Sequence, residues 1–308
     1  MSRSTSAAEA ARETRERLRG AWLNPIGGLG DMLILSGVLK QVVEQDPSWR
    51  INLVRRTNYL SILGGHEALG EVGFAPADAR TTASDYWAKE DLGPGDQRPF
   101  QILARAFGLE TPVPERLYLP GGLDDDPVLH GFLPWKPTNV VVVPTSDSRR
   151  KMARLSLWEE LVRRLQDEDV LVLQIGRRND PRVRHAYSLL GLTTPRQALS
   201  LMAKCDLVIT LDSFALHGAH LVGTPTVALW GPTHHAVYGW PGQHHLQLPK
   251  ACGLDELDEC IGPKRNDKGR LYDSACPEGE RHCLDQLSLD RCLEVVHEVL
   301  ARSRKEPA

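Results

Sequence analysis

The segment 205–233, with the sequence CDLVITLDSFALHGAHLVGTPTVALWGPT, decides the fold that we expect for this chain. Two continuous apolar runs predict buried strands at 207–211 and 226–230. The apolar spacing between them predicts a short helix over 215–222, and the Gly-Thr-Pro break after it ends that helix. The segment is therefore interpreted as one β-α-β unit with parallel strands.

The same alternation extends outward in both directions from this unit. It predicts strands at 51–54, 140–143 and 170–175, and helices at 32–43, 58–70, 99–109, 156–167, 196–204 and 289–301. Repeated β-α-β units build doubly wound parallel sheets. The predicted fold class is therefore α/β.

At 308 residues the chain is long enough for two domains. The proline-containing stretch 123–139 is interpreted as the connection between them, which gives an N-terminal domain at 21–137 and a C-terminal domain at 138–308. Residues 1–20 alternate arginine with glutamate and have almost no apolar face. They are interpreted as a solvated charged helix or a disordered tail.

Composition excludes several function classes. A net charge of -3 gives no general case for nucleic acid binding, which favours a strongly basic face. The sequence has no apolar run of the roughly 18–20 residues that a membrane span needs, and its first 20 residues have no signal-peptide core. These features predict a cytoplasmic protein without a membrane span.

Polar residues follow the predicted strands at their carboxyl ends, where α/β proteins bind ligands. Asp212 and Ser213 come directly before a helix, whose free N–H groups suit a phosphate or a diphosphate. Ser146, Arg149 and Lys151 follow the strand 140–143 and could hold the same group. The alternative interpretations are an ordinary N-cap pair and a solvated basic loop.

A glycine-rich turn, Gly27-Gly28-Leu29-Gly30-Asp31, precedes the first long helix. Gly28 and Gly30 allow a ligand to approach the backbone, and Asp31 stands at the helix start. The turn lacks the Gly-Lys-Ser/Thr of a phosphate-binding P-loop and the spacing of the dinucleotide fingerprint. A tight turn with an aspartate cap is the alternative interpretation.

Taken together, these motifs resemble the heptosyltransferase-like glycosyltransferases, glycosyltransferase family 9. The resemblance rests on three blocks in the family's order. They are the Asn24 and Gly28–Asp31 loop, Lys151 seven residues before Trp158-Glu159-Glu160-Leu161, and the motif Asp212-Ser213-x-x-x-His217 followed by Gly223 to Thr233.

The resemblance implies a GT-B fold, with two Rossmann-like domains facing each other across a cleft. It implies that the N-terminal domain binds the acceptor and that the C-terminal domain binds a nucleotide-sugar, with a heptose and ADP as the expected sugar and nucleotide. Asp31 would be the catalytic base of an inverting transfer. The implied donor-binding residues are Ser146, Arg149, Lys151, Asp212, Ser213, His217, Gly231 and Thr233.

The chain departs from the family pattern at three places. Pro25 stands where an arginine is usual, Ser36-Gly37 where a proline is usual, and Phe214-Ala215 where small residues are common. These departures predict an altered donor pocket. The acceptor is not indicated, so a saccharide, a protein side chain and a small metabolite all stay open, and a homo-oligomer is a further possibility.

Four of the six cysteines are clustered near the C-terminus with the spacing Cys-x7-Cys-x15-Cys-x6-Cys: Cys252, Cys260, Cys276 and Cys283. Four thiolates suit a tetrahedral iron or zinc site, although the paired spacing of common zinc ribbons is missing. The loop also resembles the four-cysteine iron site of the bacterial autotransporter heptosyltransferases. A structural metal is expected in the loop 252–283 and no catalytic metal is expected; free cysteines are the alternative.

Two other functions stay open at this point. One is a GT-B-fold sugar-nucleotide epimerase or hydrolase, which would act without an acceptor. The other is a non-catalytic protein that binds sugar-nucleotides or serves as a metal-stabilised scaffold.

Overall fold

The computed structural model describes residues 6–88, 98–124, 127–249 and 283–303. The chain divides into two compact units, Met1–Gly122 (unit 1) and Leu123–Ala308 (unit 2). Each unit has its own parallel sheet. The α/β class predicted from the repeated β-α-β pattern is confirmed.

Unit 1 contains four helices and four strands within its described residues: α1 Ala7–Leu18, β1 Trp22–Asn24, α2 Leu29–Gln45, β2 Ile51–Val54, α3 Thr57–Leu63, β3 Leu69–Gly73, β4 Thr81–Ala83 and α4 Pro99–Ala106. The strands are parallel and lie in the order β3-β2-β1-β4. The chain therefore moves outward from β1 to β3 on one side and adds β4 on the other. The order of strands reverses between β1 and β4, which is where α/β sheets place ligands.

Helix α1 is the charged N-terminal segment, for which the sequence left a helix or a tail open. Its Ser6 hydroxyl accepts a hydrogen bond from the Glu9 N–H at the helix start. Leu18 is buried, and the Trp49 indole N–H donates to the Arg15 carbonyl oxygen over 2.8 Å. The segment is thus a helix that is anchored to unit 1 at its C-terminal end.

Unit 2 follows with six strands and six helices in its described residues: α5 Pro127–Gly131, β5 Asn139–Val143, α6 Leu155–Asp167, β6 Leu171–Gln174, β7 Tyr187–Ser188, α7 Pro195–Ala203, β8 Leu207–Leu211, α8 Phe214–Val222, β9 Thr226–Trp230, α9 His235–Tyr238, β10 His244–Gln247 and α10 Leu289–Ser303. The six strands are parallel in the order β10-β9-β8-β5-β6-β7. The order reverses between β5 and β8, as in a doubly wound nucleotide-binding sheet.

The core of unit 2 lies between its sheet and the helices α6 and α10. Trp158 and Leu161 of α6 pack with Val296 of α10 against apolar residues of the central strands. All five residues in each of β5, β8 and β9 are buried, which explains why these strands are apolar except for one polar residue each, Asn139, Thr210 and Thr226. The strand predictions at 207–211 and 226–230 match the structure.

Two predictions in the first half need correction. The helix predicted over 58–70 ends at Leu63, because Gly64-Gly65 interrupts it, and Leu69–Gly73 forms a strand instead. The helix predicted over 99–109 ends at Ala106. The short strand β4 was not predicted, since three residues are too few for an alternation pattern.

The division between the units falls before residue 123, so the stretch 123–137 is part of unit 2 rather than of an N-terminal domain ending at 137. Side-chain contacts explain why. Leu133 is buried, the His130 ring nitrogen Nε2 lies 3.2 Å from the Ser200 hydroxyl of α7, and the Lys136 ammonium lies 2.8 Å from the Asp169 carboxylate. The prolines of this stretch suggested a linker, yet its side chains fasten it to unit 2.

Among the described residues, no helix combines the length and the apolar character that crossing a membrane requires.

Candidate functional site

The candidate site of unit 2 lies at the reversal of strand order, where the chain leaves β5 and β8. Ser146 follows β5, and its hydroxyl donates to the backbone oxygen of Asp212, the residue that follows β8, over 2.7 Å. The two loops are therefore joined directly. This edge of the sheet brings together residues that are 66 positions apart in the sequence.

Asp212 is the centre of this site, and its side chain is almost completely buried. One carboxylate oxygen, Oδ2, accepts hydrogen bonds from the Lys151 ammonium over 2.6 Å and from the Thr233 hydroxyl over 2.8 Å. Lys151, Asp212 and Thr233, all predicted as donor-binding residues, thus form one connected group. The Lys151 side chain is 21% exposed, so its ammonium can still contact a ligand.

The electrostatics of the Asp212 carboxyl follow from this pairing. Burial acts to raise the pKa of Asp212, but the nearby Lys151 ammonium and its hydrogen bond oppose burial and prevail. The His217 ring and the Thr233 hydroxyl act in the same direction as Lys151. The pKa of Asp212 is therefore lowered, which keeps the carboxylate charged and Lys151 oriented.

Ser213 and His217 have structural partners of their own. The Ser213 hydroxyl accepts from the Ala215 N–H at the start of α8 and lies 3.0 Å from the Thr210 hydroxyl. His217 is buried, and its Nδ1 accepts a hydrogen bond from the Trp240 indole over 2.9 Å. The N-cap interpretation of Ser213 is thus correct locally, while the start of α8 remains beside Lys151 and Asp212.

Arg149 and Gly231, two further predicted donor-binding residues, lie in the segments that follow β5 and β9. Arg149 is exposed and begins the 3₁₀ turn Arg149–Lys151. A Cβ atom at Gly231 would lie 3.1 Å from Leu284 Cγ and 3.6 Å from the Arg150 carbonyl oxygen. Gly231 therefore lets the segment Cys283–Gln286 pack closely beneath the loop that carries Thr233.

The candidate site of unit 1 is the glycine loop between β1 and α2. Asp31 is the third residue of α2 and is partly exposed; its carboxylate oxygen Oδ2 accepts from the Gly28 N–H over 2.6 Å. Gly27 has φ +127°, and a Cβ there would lie 2.5 Å from the same oxygen, so only glycine fits. The loop thus wraps the Asp31 carboxylate. Gly28 supplies the N–H, and Gly30 is buried in the first turn of the helix.

Residues that follow the neighbouring strands of unit 1 also hold this loop in place. Ser84, directly after β4, accepts from the Ile26 N–H over 2.7 Å and donates to the Ile26 carbonyl oxygen over 3.0 Å. The Tyr59 hydroxyl of α3 donates to the Gly27 carbonyl oxygen over 2.5 Å. The loop that carries Asp31 is therefore held by residues that follow β2 and β4.

Sequence reasoning missed several residues at these sites. The Tyr238 ring of α9 lies beside Lys151, whose ammonium is 5.8 Å from the ring centre, and Trp240 fixes His217. Arg56, directly before α3, donates to the Asn24 side-chain oxygen. The aromatic string 238–240 offered a weak signal, but the Arg56 contact depends on strand pairing that the sequence does not specify.

A group of stacked histidines also adjoins the site. His235 stacks on His234 and on His245, with ring centres 4.4 and 4.9 Å apart. His245 Nδ1 accepts from the Trp230 indole over 3.1 Å. Burial and the neighbouring His235, His244 and His234 rings lower the pKa of His245 to about 4, against a weaker opposing hydrogen bond from the backbone at Trp240.

Three of the four cysteines of the predicted metal site, Cys252, Cys260 and Cys276, lie outside the described residues. The fourth, Cys283, is half-buried at the start of the segment that packs against Gly231. Within the described part of the chain, no group of three or more histidine, cysteine or acidic side chains could hold a metal ion. Cys205 and Cys292 are buried, and burial raises the pKa of their thiols to about 12 and about 11. These two cysteines therefore belong to the core.

Residues 96–247, about half of the chain, match the family model described as glycosyltransferase family 9 (heptosyltransferase). Residues 96–247 belong to glycosyltransferase family 9. The match contains the Lys151, Asp212 and Thr233 group, and the chain is accordingly a glycosyltransferase. The matched segment does not include the Asp31 loop. No curated protein sequence matches the chain.

Solved structures of similar fold agree with the family 9 match. The E. coli ADP-heptose LPS heptosyltransferase II superposes with a TM-score of 0.65 at 15% identity, over 92% of this chain and 99% of that one. The iron-containing dodecameric glycosyltransferase TibC from enterotoxigenic E. coli H10407 superposes with a TM-score of 0.65 at 14% identity, over 93% of this chain and 77% of that one. The family 9 glycosyl transferase from Veillonella parvula DSM 2008 superposes with a TM-score of 0.63 at 12% identity, over 94% of this chain and 99% of that one. At such identities the likeness concerns the fold, and it agrees with the predicted GT-B class.

Proposed function

We propose that this glycosyltransferase moves a heptose, or a closely related sugar, from an ADP-activated donor to an acceptor hydroxyl with inversion at the anomeric carbon. The observation that carries the proposal is the Lys151, Asp212 and Thr233 group beside the start of α8, inside the segment that matches family 9. One similar structure, that of TibC, is described in complex with ADP-D-β-D-heptose. That donor class is what we carry over to this chain.

The residues of unit 2 suit a departing nucleoside diphosphate. Breaking the bond between the anomeric carbon and the diphosphate oxygen leaves negative charge on that oxygen. Asp212 fixes the Lys151 ammonium close to the start of α8, so this cation could stabilise the charge with little reorganisation during the reaction. Ser146, Arg149, Ser213, His217, Gly231 and Thr233 build or border the same site.

In unit 1, we assign Asp31 as the general base. Its carboxylate would take the proton from the acceptor hydroxyl as the oxygen bonds to the anomeric carbon. Asp31 is partly exposed, and the Gly28 N–H that donates to its Oδ2 fixes the orientation of the carboxylate at the glycine loop. A positioned general base contributes about 10²–10⁴-fold to the rate.

The test is a screen of the purified protein against ADP-, GDP-, UDP- and dTDP-sugars, with thermal stabilisation and nucleoside diphosphate release measured together. Stabilisation by an ADP-sugar with slow release is the expected result. Rapid turnover of the sugar-nucleotide without any acceptor would favour an epimerase or hydrolase. Binding of no donor at all would contradict the proposal and favour the scaffold function.

We also propose a structural iron or zinc ion bound by Cys252, Cys260, Cys276 and Cys283. The description of TibC as iron-containing supports the idea, and Cys283 lies next to Leu284, which packs against Gly231. Elemental analysis of the purified protein should find one equivalent of metal, lost in Cys276→Ser but kept in the control Cys292→Ser. Metal-free wild-type protein would contradict this assignment.

A further inference from the structure

The segment that follows β9 contacts both members of the ion pair between Lys151 and Asp212. The Thr233 hydroxyl of this segment donates to Asp212 Oδ2 over 2.8 Å, and the centre of the Tyr238 ring lies 5.8 Å from the Lys151 ammonium. Asp212 follows β8, and Lys151 belongs to the segment after β5. One segment therefore encloses an ion pair whose members come from the two neighbouring strands.

Tyr238 is tied to Thr233 through one turn of backbone. His234, which directly follows Thr233, caps the start of α9, because its Nδ1 accepts from the Ala236 N–H over 3.0 Å. The Tyr238 N–H donates to the His234 carbonyl oxygen over 3.2 Å and closes the turn. The place of the Tyr238 ring is thus set relative to the hydroxyl that binds Asp212.

Gln247 of β10 anchors the same turn to the sheet. Its side-chain oxygen accepts from the His235 N–H over 3.1 Å, and its amide nitrogen donates to the Thr233 carbonyl oxygen over 3.1 Å. Val237 is buried beneath the turn, whereas the Tyr238 ring is half-buried. The backbone that carries Tyr238 is therefore fixed at its start and over its length, and the ring projects from an anchored support.

The two neighbours of the Lys151 ammonium differ in their chemistry. Asp212 Oδ2 is a charged acceptor at 2.6 Å, while Tyr238 presents an aromatic ring. A ring attracts a cation within about 6 Å of its centre through the quadrupole of its π-system. A second carboxylate at this place would also attract the ammonium, but it would repel a diphosphate. The ring can therefore hold the cation without adding negative charge to the site.

We propose that Tyr238 is a positioning residue for the donor, because its ring confines the Lys151 ammonium to the place where it meets the donor diphosphate. The inference rests on the proposed function, since it requires that Lys151 bind this group. Tyr238 acts on donor affinity through Lys151 and takes no part in the transfer of the sugar.

The experiment is calorimetric titration of the full-length protein with ADP, in the wild type and in two variants of Tyr238. Tyr238→Phe keeps the ring and should bind ADP as the wild type does. Tyr238→Leu keeps an apolar side chain without the quadrupole and should bind ADP about fivefold more weakly, as expected for loss of a cation–π contact. Unchanged affinity in Tyr238→Leu would overturn the proposal. An equal loss in both variants would also overturn it, because the hydroxyl would then be responsible.

A double-mutant cycle separates positioning from support of the fold. Once Lys151→Met has removed the ammonium, the further change Tyr238→Leu should alter ADP affinity by less than about twofold. If Tyr238 merely supported the fold, the same fivefold loss would appear without the ammonium, and the proposal would be wrong. Thermal unfolding shows whether each variant has folded. The comparison of Tyr238→Phe with Tyr238→Leu is decisive even if Lys151→Met does not fold.

The matched control is Tyr187→Leu, the same substitution at an exposed position of β7, on the opposite edge of the sheet from β10. Its ADP affinity should equal that of the wild type, and a fivefold loss there would show that the effect is not specific to Tyr238. Wild type that binds neither ADP nor an ADP-sugar would contradict the proposed function, and the role of Tyr238 with it. Wild type that binds both, with no loss in Tyr238→Leu, would overturn the role of Tyr238 alone.

Discussion

Two aspartates at two sheet edges, Asp31 in unit 1 and Asp212 in unit 2, have similar places in the fold but different environments. Each follows a parallel strand at a reversal of strand order and stands at the beginning of a helix. Asp31 is partly exposed, and its carboxylate accepts a backbone N–H from Gly28. Asp212 is buried, and its carboxylate accepts from Lys151 and Thr233.

The difference shows how the same residue type serves two purposes. A base must reach a substrate hydroxyl, so it needs an accessible oxygen. A carboxylate that positions a lysine needs the reverse, because burial strengthens the pairing and fixes its direction. From this comparison we expect Asp31 to act as the base, and we expect Asp212 to hold Lys151 in position for the donor.

The largest expected effect is that of Asp31→Asn. The amide oxygen can still accept from the Gly28 N–H, so the loop should keep its structure while the base is lost. We expect turnover to fall by about 10²–10⁴-fold with donor affinity unchanged. Product formation and calorimetric donor binding measure the two quantities, and equal loss of both would show that Asp31 is not the base.

Asp212→Asn should act on stability and donor affinity rather than on a proton transfer. The change leaves the Lys151 ammonium without its charged partner in a mostly buried place, which we expect to cost about 2–3 kcal/mol in the free energy of unfolding, measured with urea. Donor affinity should fall in parallel.

The control for this variant is Asp147→Asn, which breaks an exposed pair between Asp147 and Arg177 in neighbouring loops. Exposed pairs contribute only about 0–1 kcal/mol. If Asp147→Asn and Asp212→Asn destabilised the protein equally, the distinction between the buried and the exposed pair would be wrong.

Gly27→Ala tests the loop around Asp31. The added Cβ would collide with the Asp31 carboxylate in a backbone conformation that favours glycine, so we expect a loss of about 2 kcal/mol in stability and displacement of the base. Gly20→Ala is the matched control, since Gly20 also has positive φ but no atom within 4 Å of the added Cβ. It should cost about 1 kcal/mol and leave turnover intact.

The smallest expected effect concerns His245, near the donor site. Its pKa in the folded protein is about 4, against an ordinary value of 6.5, so the unfolded chain binds a proton more readily as the pH falls from 6.5 to 4. His245 therefore lowers stability progressively over that range. His245→Gln should reduce this fall in melting temperature at low pH by about 2–4 °C, measured by thermal unfolding at pH values between 6.5 and 4.

Much of the fold could be predicted from apolar patterns. The largely apolar central strands of unit 2 are predictable because they are buried along their whole length, and α6 and α10 because their apolar residues recur at helical spacing. The helix predicted over 58–70 included the first two residues of Leu69–Gly73, because only pairing with β2 decides that this mostly exposed segment is a strand. The contact of Tyr238 with Lys151 was missed for a related reason, since it depends on β8 lying between β5 and β9.

The family 9 match leaves several predictions open. The role of Asp31, the inverting mechanism, the heptose donor, the metal site and the cytoplasmic location stay predictions, because the match covers residues 96–247 and the three remaining cysteines lie outside the described structure. The experiments above separate these questions from the family assignment.

By itself the sequence determined the α/β class, the order of β-α-β units and the candidate residues Asp31, Lys151 and Asp212, because local apolar periodicity and helix-start chemistry depend on near neighbours along the chain. Only the tertiary structure decided that Lys151 and Thr233 converge on one oxygen of Asp212, and that Arg56 lies against Asn24. These contacts depend on the order in which parallel strands pair. That order places distant loops side by side, and no local sequence pattern encodes it.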